Sequence, residues 1–572
     1  MCQMLKHGGP DDEGIFDDND AGLSFGHRRL SIIDLSPKGH QPMADLQQRV
    51  WITFNGEIYN YIELKKQLID LGAQFISSTD TEVIIAAYIY WGIAAFAKLR
   101  GIFAFALYDK QKALTYLVRD SSGIKPLYYG AEGGQLSFAS EVKALKTAGL
   151  DYEADPDWQI RFLAYGHIPE PYTTLKDVYS LPKGKFLCWN HKNASYDIHS
   201  YHVIFNNAVI DDSASAKDAI KKSLEFAVGR QLISDAPIGV FLSGGIDSSL
   251  LTLLAQKEWK TQLKTISIYF NEKAYDESMY QSLIFKQIDG EKFSHLVKQS
   301  DFEDFLPQII GDMDMPTTDG INTWFISKFA HDDGLKAVLS GLGADELFGG
   351  YPSFNRIRYI KTARKYPAWF FKLANYSAFD AYKKIAFLTY NHPIADYLFL
   401  RGLYSPVDIS AILDTDITQV EDVLFANRKL PYVRNYDEQD AAWFEINLYM
   451  QNQLLRDTDV MGMSHGLEVR VPFLDEDFVR MAGRISPALR FDKSRPKKLL
   501  IDSFDDILPE AIWNRTKMGF TFPLQDWMRG NQDITNQSLY KRGRSKSIVK
   551  SFKNNAVHWS KAFALFQIQM HG

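Results

Sequence analysis

The stretch GVFLSGGIDSSLLTLLA, Gly239 to Ala255, carries the clearest chemistry in the chain. Its opening apolar run does not alternate, which reads as a buried parallel strand. The run leads into Ser-Gly-Gly-x-Asp-Ser and then into a helical pattern. Gly244 and Gly245 let backbone N–H groups approach a phosphate closely, and the helix N-terminus adds unpaired donors and a positive dipole end. Ser243, Ser248 and Ser249 add hydroxyl donors. Asp247 sets a carboxylate beside the phosphates, which makes sense only with a cation, most simply Mg²⁺. The Gly-Lys-Ser/Thr of a Walker-type P-loop is missing from this stretch.

A second loop, KAVLSGLGADELFGGY (Lys336 to Tyr351), is again a buried strand followed by a Gly-rich acidic turn. In a doubly wound sheet, ligands sit at the carboxyl ends of strands. Two such loops from neighbouring strands would converge on one nucleotide, with Asp345 as a second metal-side carboxylate facing Asp247. At the other end, MCQMLKHGGPDDEG places Cys2 where loss of Met1 would free its α-amine. That amine can serve as a base, and Cys is the readiest nucleophile at neutral pH. Taken alone, the NGE of FNGEIYN reads as a hairpin turn.

The elements that must position these residues differ between the two parts of the chain. Up to about Tyr201, short aromatic and β-branched runs separated by turn residues predict strands: Arg49 to Tyr61, Gly101 to Asp109, Ala113 to Asp120, Pro126 to Gly130 and Gln135 to Ser140. Helical patterns interrupt them at Tyr61–Leu71 and Glu82–Leu99. This is a layered α+β pattern. The polar stretch Asn206 to Asp218 is the expected boundary. Beyond it, IGVFL, LKTISIYF and LKAVLS alternate with helices, a βαβ series implying an α/β doubly wound parallel sheet. From about Pro367 the pattern is mostly helical.

The 572 residues are 46% hydrophobic and 23% charged, with net charge −6 and a sequence pI of about 6.1. That is an ordinary globular balance. No basic run stands out, so nucleic acid is not an expected partner. Two cysteines, Cys2 and Cys188, exclude a disulfide framework and fit a reducing compartment, so a cytoplasmic location is expected. The longest apolar run, Val83 to Ala97, falls short of the roughly 18 residues of a membrane span. It reads as a buried core helix, and no membrane partner is expected.

The phosphate loop alone resembles those of ATP pyrophosphatases that adenylate a substrate. With YDESMY (Tyr275 to Tyr280), MSHGLEVRVPFLD (Met463 to Asp475) and RTKMGFTFP (Arg515 to Pro523), the chain resembles glutamine-hydrolysing asparagine synthetase over nearly its whole length. The resemblance implies a class II glutamine amidotransferase domain over 1–202, an N-terminal-nucleophile fold of two stacked antiparallel sheets between helices. It implies an ATP-pyrophosphatase domain over 213–572 with a helical C-terminal part. There a carboxylate, aspartate first, becomes an acyl-adenylate, and ammonia from glutamine displaces AMP. Pyrophosphate would lie on Ser243, Gly244, Gly245, Asp247 and Ser248. Adenine would meet Leu242, Ile268, Ser340 and Gly341. Asp247 and Asp345 would hold Mg²⁺, and Lys497 would stabilise the transferring phosphate, with its neighbour Lys498 leaving the register open by one. The apolar setting of Arg470 suggests a buried ion pair. In the first half, Asn55 and Gly56 match the oxyanion hole, Glu57 and Asp80 the residues holding the glutamine α-amino group, and Arg29 the partner of its α-carboxylate. A homodimer is compatible with this reading.

Two departures from the family pattern stand out. Its second loop usually reads Ser-Gly-Glu-Gly-x-Asp-Glu, with the first Glu tied to forming and resolving the aspartyl-adenylate. Here Leu342 stands at that position. Either Glu346 or another group does that work, or the acceptor is another carboxylate, such as a sugar acid. At the N-terminus the family's Met-Cys-Gly-Ile opens a buried first strand and a helix follows before His-Arg-Gly-Pro-Asp. Here HGGPDDEG follows Cys2 almost at once, with Gly8 at the Arg position. Cys2 is therefore expected on a helix rather than on the first strand. A start inside a longer gene product and a glutaminase that has decayed, leaving an ammonia-dependent ligase, both fit this pattern.

Overall fold

The computed structural model describes residues 1–150, 152–201, 209–259, 263–377, 380–426, 430 and 434–571. The start of the expected boundary stretch, 206–208, lies outside the described residues. The first part is built from strands β1 (Asp12–Asp18), β2 (Leu23–Arg29), β3 (Met43–Ala44), β4 (Val50–Ile58), β5 (Gly101–Asp109), β6 (Leu114–Arg119), β7 (Tyr128–Glu132), β8 (Gln135–Ala139), β9 (Val178–Ser180), β10 (Lys185–Asn190) and β11 (Ser195–Ser200). Six of them form one sheet in the order β11-β10-β6-β5-β4-β3. The layer facing it is in two pieces, β1-β2 and β8-β7-β9.

Register follows the two-residue period of a strand. Ile52 and Phe54 of β4 and Phe103, Phe105 and Leu107 of β5 point to one face, beneath helices Tyr61–Asp70 and Asp80–Trp91. Ala104, Ala106 and Tyr108 point to the other, against Phe25 of β2 and Tyr129 of β7. The NGE segment is not a hairpin turn. Asn55, Gly56 and Glu57 lie within β4, paired with Ala104, Phe103 and Ile102. The apolar run lies in a helical stretch, Asp80–Lys98, that is long and apolar enough to cross a membrane by length and composition. Half of that window is buried in the protein, where Val83, Ile84, Ala87 and Tyr88 pack on the six-stranded sheet.

The second part holds five parallel strands: β12 (Ile238–Phe241), β13 (Lys264–Tyr269), β14 (Glu291–Leu296), β15 (Ala337–Leu339) and β16 (Glu468–Arg470). Their order is β14-β13-β12-β15-β16. The order reverses between β12 and β15, the switch point at which doubly wound sheets bind ligands. Ile238 and Val240 of β12 face helices Ser213–Gln231 and Ile246–Glu258. Phe241 and Val338 face helices Gln299–Asp312 and Ile321–Asp332. Burial on both faces explains the unbroken apolar runs. The remaining chain is mainly helical. Its core includes Phe354, Leu398, Phe444 and Leu565 together with Leu145, Phe162 and Ile168 of the first part, so one core spans both.

Candidate functional site

At the carboxyl end of β12 the chain turns through Leu242–Gly245 into helix Ile246–Glu258. Gly244 takes φ +89, a left-handed conformation that favours glycine. Ser248 closes the loop on itself: its Oγ accepts from the Ser243 N–H at 3.2 Å and lies 3.0 Å from Ser243 Oγ. Leu242 and Ile268 send their side chains into the core, so only their backbone is on offer at the site. The Ile268 carbonyl is already taken by Gln281 Nε2 at 2.9 Å. Ser340 and Gly341 follow β15. A Cβ on Gly341 would stand 2.9 Å from Asp247 Cβ and 3.1 Å from Ser248 N, so glycine lets the two loops touch.

Lys497 enters between these loops. Its Nζ lies 2.5 Å from Asp247 Oδ2 and is also paired with Asp345. Lys517 binds both oxygens of Asp345 at 2.8 Å. Burial raises the Asp247 carboxyl more than Lys497 lowers it. Burial pushes Asp345 the same way, but Lys497 and Lys517 together hold it below the usual carboxylate range. Burial works against the Lys497 ammonium, and the two aspartates overcome that and raise its pKa. Lys498 points elsewhere, to Asp502 at 3.0 Å, so of the two lysines Lys497 is the one that reaches the loops. Asp247 Oδ1 is buried without a partner. Two converging carboxylates, one with an orphaned buried oxygen, are the hard oxygen donors that suit Mg²⁺.

The second centre lies between the two parts of the chain. A small pocket of about 60 Å³ is lined by Arg29, Asn55, Gly56, Glu57, Asp80 and, from the second part, Glu468. Arg29 is fixed by the carbonyls of Ser36, Ile33 and Asp34 at 3.0, 3.3 and 2.5 Å. Asp80 accepts the Ile58 N–H at 2.9 Å, yet burial pushes its carboxyl up to about 6. Burial and then the neighbouring Asp80 raise Glu57 well above its ordinary value, against the pull of Arg470. A carboxyl pair raised this way favours a bound cation such as an α-ammonium group. Gly56 takes φ +133, and a Cβ there would collide with the Ile102 carbonyl.

Cys2 opens a 3₁₀ helix, Cys2–Gly8, with its Sγ packed against Gly26. It lines a larger cavity of about 640 Å³ that Asn55 also borders, between Ser24 and Gly26 of β2 and Ser137 and Ala139 of β8. Burial pushes the Cys2 thiol up, against the lowering effect of the chain's N-terminal charge. Cys2 itself does not line the smaller pocket.

Arg470 links the two centres. Its side chain meets Glu468 at 2.9 Å and Glu57 at 3.5 Å, and its carbonyl accepts the Ser340 N–H at 2.8 Å. Leu342 packs beside an apolar cluster of Tyr59, Ile102, Ile124, Met450 and Leu474 that crosses the same boundary. Two neighbours, Lys517 and Arg515, sit in a quoted motif but had no role in the sequence reading, and Glu346 was named only as a stand-in for the missing family Glu. Glu346 is fully buried, accepts from Tyr351 Oη at 2.9 Å, and is pushed up to about 7 by burial and the adjacent Asp345. Arg515 pairs with Glu277 at 2.6 Å and donates to the Gly244 carbonyl at 3.0 Å.

An amidotransferase-like layered half and a doubly wound half with a phosphate loop define a two-centre ligase. The comparisons with known proteins agree: residues 219–556 match asparagine synthase and residues 1–202 the glutamine amidotransferase domain. The chain belongs to the asparagine synthase family. It is 31% identical over 567 residues to asparagine synthetase (glutamine-hydrolyzing) 1 of Bacillus subtilis strain 168, covering 96% of this chain and 87% of that one. It is 29% identical over 581 residues to Amidase chry2 of Gibberella zeae, covering 92% and 85%. With Amidase chyE of Penicillium rubens it shares 27% over 590 residues, covering 92% and 84%. The protein is thus an enzyme of ATP-dependent amide formation with a glutamine amidotransferase domain.

Proposed function

We propose that the enzyme converts aspartate to asparagine through an acyl-adenylate, with 1–202 releasing ammonia from glutamine and 213–572 carrying out the ligation. The observation that carries this reading is the convergence of Asp247, Asp345 and Lys497 at the switch point between β12 and β15. ATP would lie with its phosphates on Ser243, Gly244, Gly245 and Ser248 and its adenine against the backbone of Leu242, Ile268, Ser340 and Gly341. The acceptor carboxylate attacks the α-phosphorus, and pyrophosphate leaves. Lys497 holds its charge against burial and so can follow the negative charge that builds on the transferring phosphate. Mg²⁺, held by Asp247 and Asp345, would neutralise charge on the leaving pyrophosphate. Ammonia then attacks the acyl carbon and AMP departs. In the small pocket, Arg29 would pair the glutamine α-carboxylate, Glu57 and Asp80 its α-ammonium, and Asn55 and Gly56 the oxyanion formed when Cys2 attacks the side-chain amide.

A second reading rests on the placement of Cys2 outside the small pocket and on Leu342: an ammonia-dependent ligase acting on another carboxylate, such as a sugar acid. ATP–pyrophosphate exchange across a set of carboxylates, aspartate first, decides the acceptor. Exchange with a sugar acid and none with aspartate overturns the first reading. Amide formation from glutamine and from ammonium, each with and without Cys2→Ala, decides the nitrogen source. Loss of the glutamine-driven reaction alone supports the first reading, and amide formation from ammonium with none from glutamine, in wild type and variant alike, supports the second.

A further inference from the structure

From Tyr351 to Ser377 the chain carries six cations, Arg356, Arg358, Lys361, Arg364, Lys365 and Lys372, and no Asp or Glu. This stands out in a protein of net charge −6. They form no basic run because they are spread over helix Ser353–Ala363, the turn after it and the 3₁₀ helix Ala368–Tyr376. Arg364 is consumed internally by the carbonyls of Leu388 and Tyr390 and by Asp396. The other five are exposed, and among the described residues none forms an ion pair.

The same segment exposes large apolar side chains: Tyr359 (55%), Tyr366 (61%), Trp369 (66%), Phe370 (55%) and Leu373 (60%). Single exposed hydrophobes are ordinary, but a concentration of them marks an interaction site. The segment is also firmly seated. Helix Ser353–Ala363 buries Phe354, Ile357 and Ile360, and Phe371 anchors the following 3₁₀ helix, Ala368–Tyr376. Its outward face is therefore surplus to the core.

We propose that this face docks the enzyme on an anionic phospholipid bilayer. Unpaired cations call for an anionic partner, and protruding Trp, Phe and Leu call for an apolar layer only a few ångströms deep. The headgroup and acyl boundary of an anionic membrane supplies both. Single-stranded nucleic acid also offers phosphates and stacking bases, but its sites are grooves of aromatic platforms. Here Pro367, Ala368 and Leu373 stand among the rings on an outward-facing helical segment. The docking is peripheral and needs no spanning helix.

The test is flotation of the full chain with vesicles of equimolar phosphatidylglycerol and phosphatidylcholine, and with phosphatidylcholine alone. Wild type is expected to float with the anionic vesicles only, and high salt is expected to release it. W369S/F370S/L373S and K361E/K365E/K372E are each expected to bind at least about tenfold more weakly, with ATP–pyrophosphate exchange unchanged. Should either variant fail to fold, quenching of wild-type fluorescence by brominated lipid, lost in W369F, reads the same contact. Wild type that stays in solution with anionic vesicles, or variants that float equally well, overturn the proposal. So does a face that instead self-associates or binds an oligonucleotide without lipid contact.

Discussion

Lys497 occupies the left-handed region at φ +55 while its side chain is buried between two carboxylates. For a residue with a Cβ that backbone costs on the order of 1 kcal/mol, and the two ion pairs offset it. Lys497→Ala is expected to lower ATP–pyrophosphate exchange by at least about 100-fold. Lys498→Ala, which removes only half-exposed pairs with Asp502 and Asp492, should stay within about twofold. Asp80 gives a pH signature. Its folded pKa of about 6 lies above the ordinary 3.8, so its stabilising contribution is complete below pH 3.8 and lost as pH rises through about 6. Asp80→Asn is therefore expected to be more stable than wild type at pH 7.5, by up to about 3 kcal/mol, and not at low pH. Urea unfolding at the two pH values checks it. Under the proposed function the ionised Asp80 would pair the glutamine ammonium, so KM for glutamine should rise up to about tenfold per pH unit below pH 6 in wild type and less steeply in the variant. Asp247 and Asp345 were legible from residue type and spacing alone. The choice between Lys497 and Lys498 was not, because a one-residue register is set by packing. Lys517 was equally hidden, since its partner Asp345 lies 172 residues away and spacing does not show the contact.

The two glycine loops act as one element because nothing larger than hydrogen fits between them. Gly341→Ala would push its Cβ onto Asp247 and the Ser248 N–H, spreading the two loops that the proposed function places on the ATP phosphates. ATP affinity, measured by equilibrium binding, is expected to fall at least about tenfold, with little change in glutamine binding. Strands β12, β13 and β15 were readable because burial on both faces leaves long apolar runs. The edge strand β14, EKFSHL, is largely polar, and β16 is only three residues inside a motif, so neither announced itself. The short β16 nevertheless carries Arg470, whose backbone steadies Ser340 and whose guanidinium faces Glu57. In the layered half, β4 to β8 were visible from their own aromatic and β-branched patterns, whereas β1, β2, β3, β9, β10 and β11 were not picked out. The division of the facing layer into β1-β2 and β8-β7-β9 was not visible either, because pairing partners lie far apart in sequence.

The whole molecule behaves as one body because polar and apolar ties cross between its parts. Lys125, 1% exposed, comes from the first part and lies 3.1 Å from Asp459 and 3.3 Å from Glu468 of the second. Ser122 Oγ donates to the Leu474 carbonyl at 3.0 Å, and Arg100 Nε reaches Asp477 at 3.2 Å. The cores agree: Phe162 and Ile168 pack in one cluster with Phe354 and Phe444. The partners of Lys125 are not visible along the sequence, since the nearer of them, Asp459, lies 334 residues away. Two parts that share a core should unfold together, so calorimetry is expected to show a single transition. Lys125→Met tests whether the ion pairs or the apolar core enforce it. Burial holds the Asp459 carboxyl above its ordinary value even with Lys125 beside it, so removing the lysine leaves a poorly solvated charge. The loss is expected to be about 3–5 kcal/mol. Because Leu145, Phe162 and Phe354 remain packed, the variant should melt at a lower temperature but still in one step. A split into two transitions would mean that Lys125, and not the shared core, binds the amidotransferase half to the ligase half.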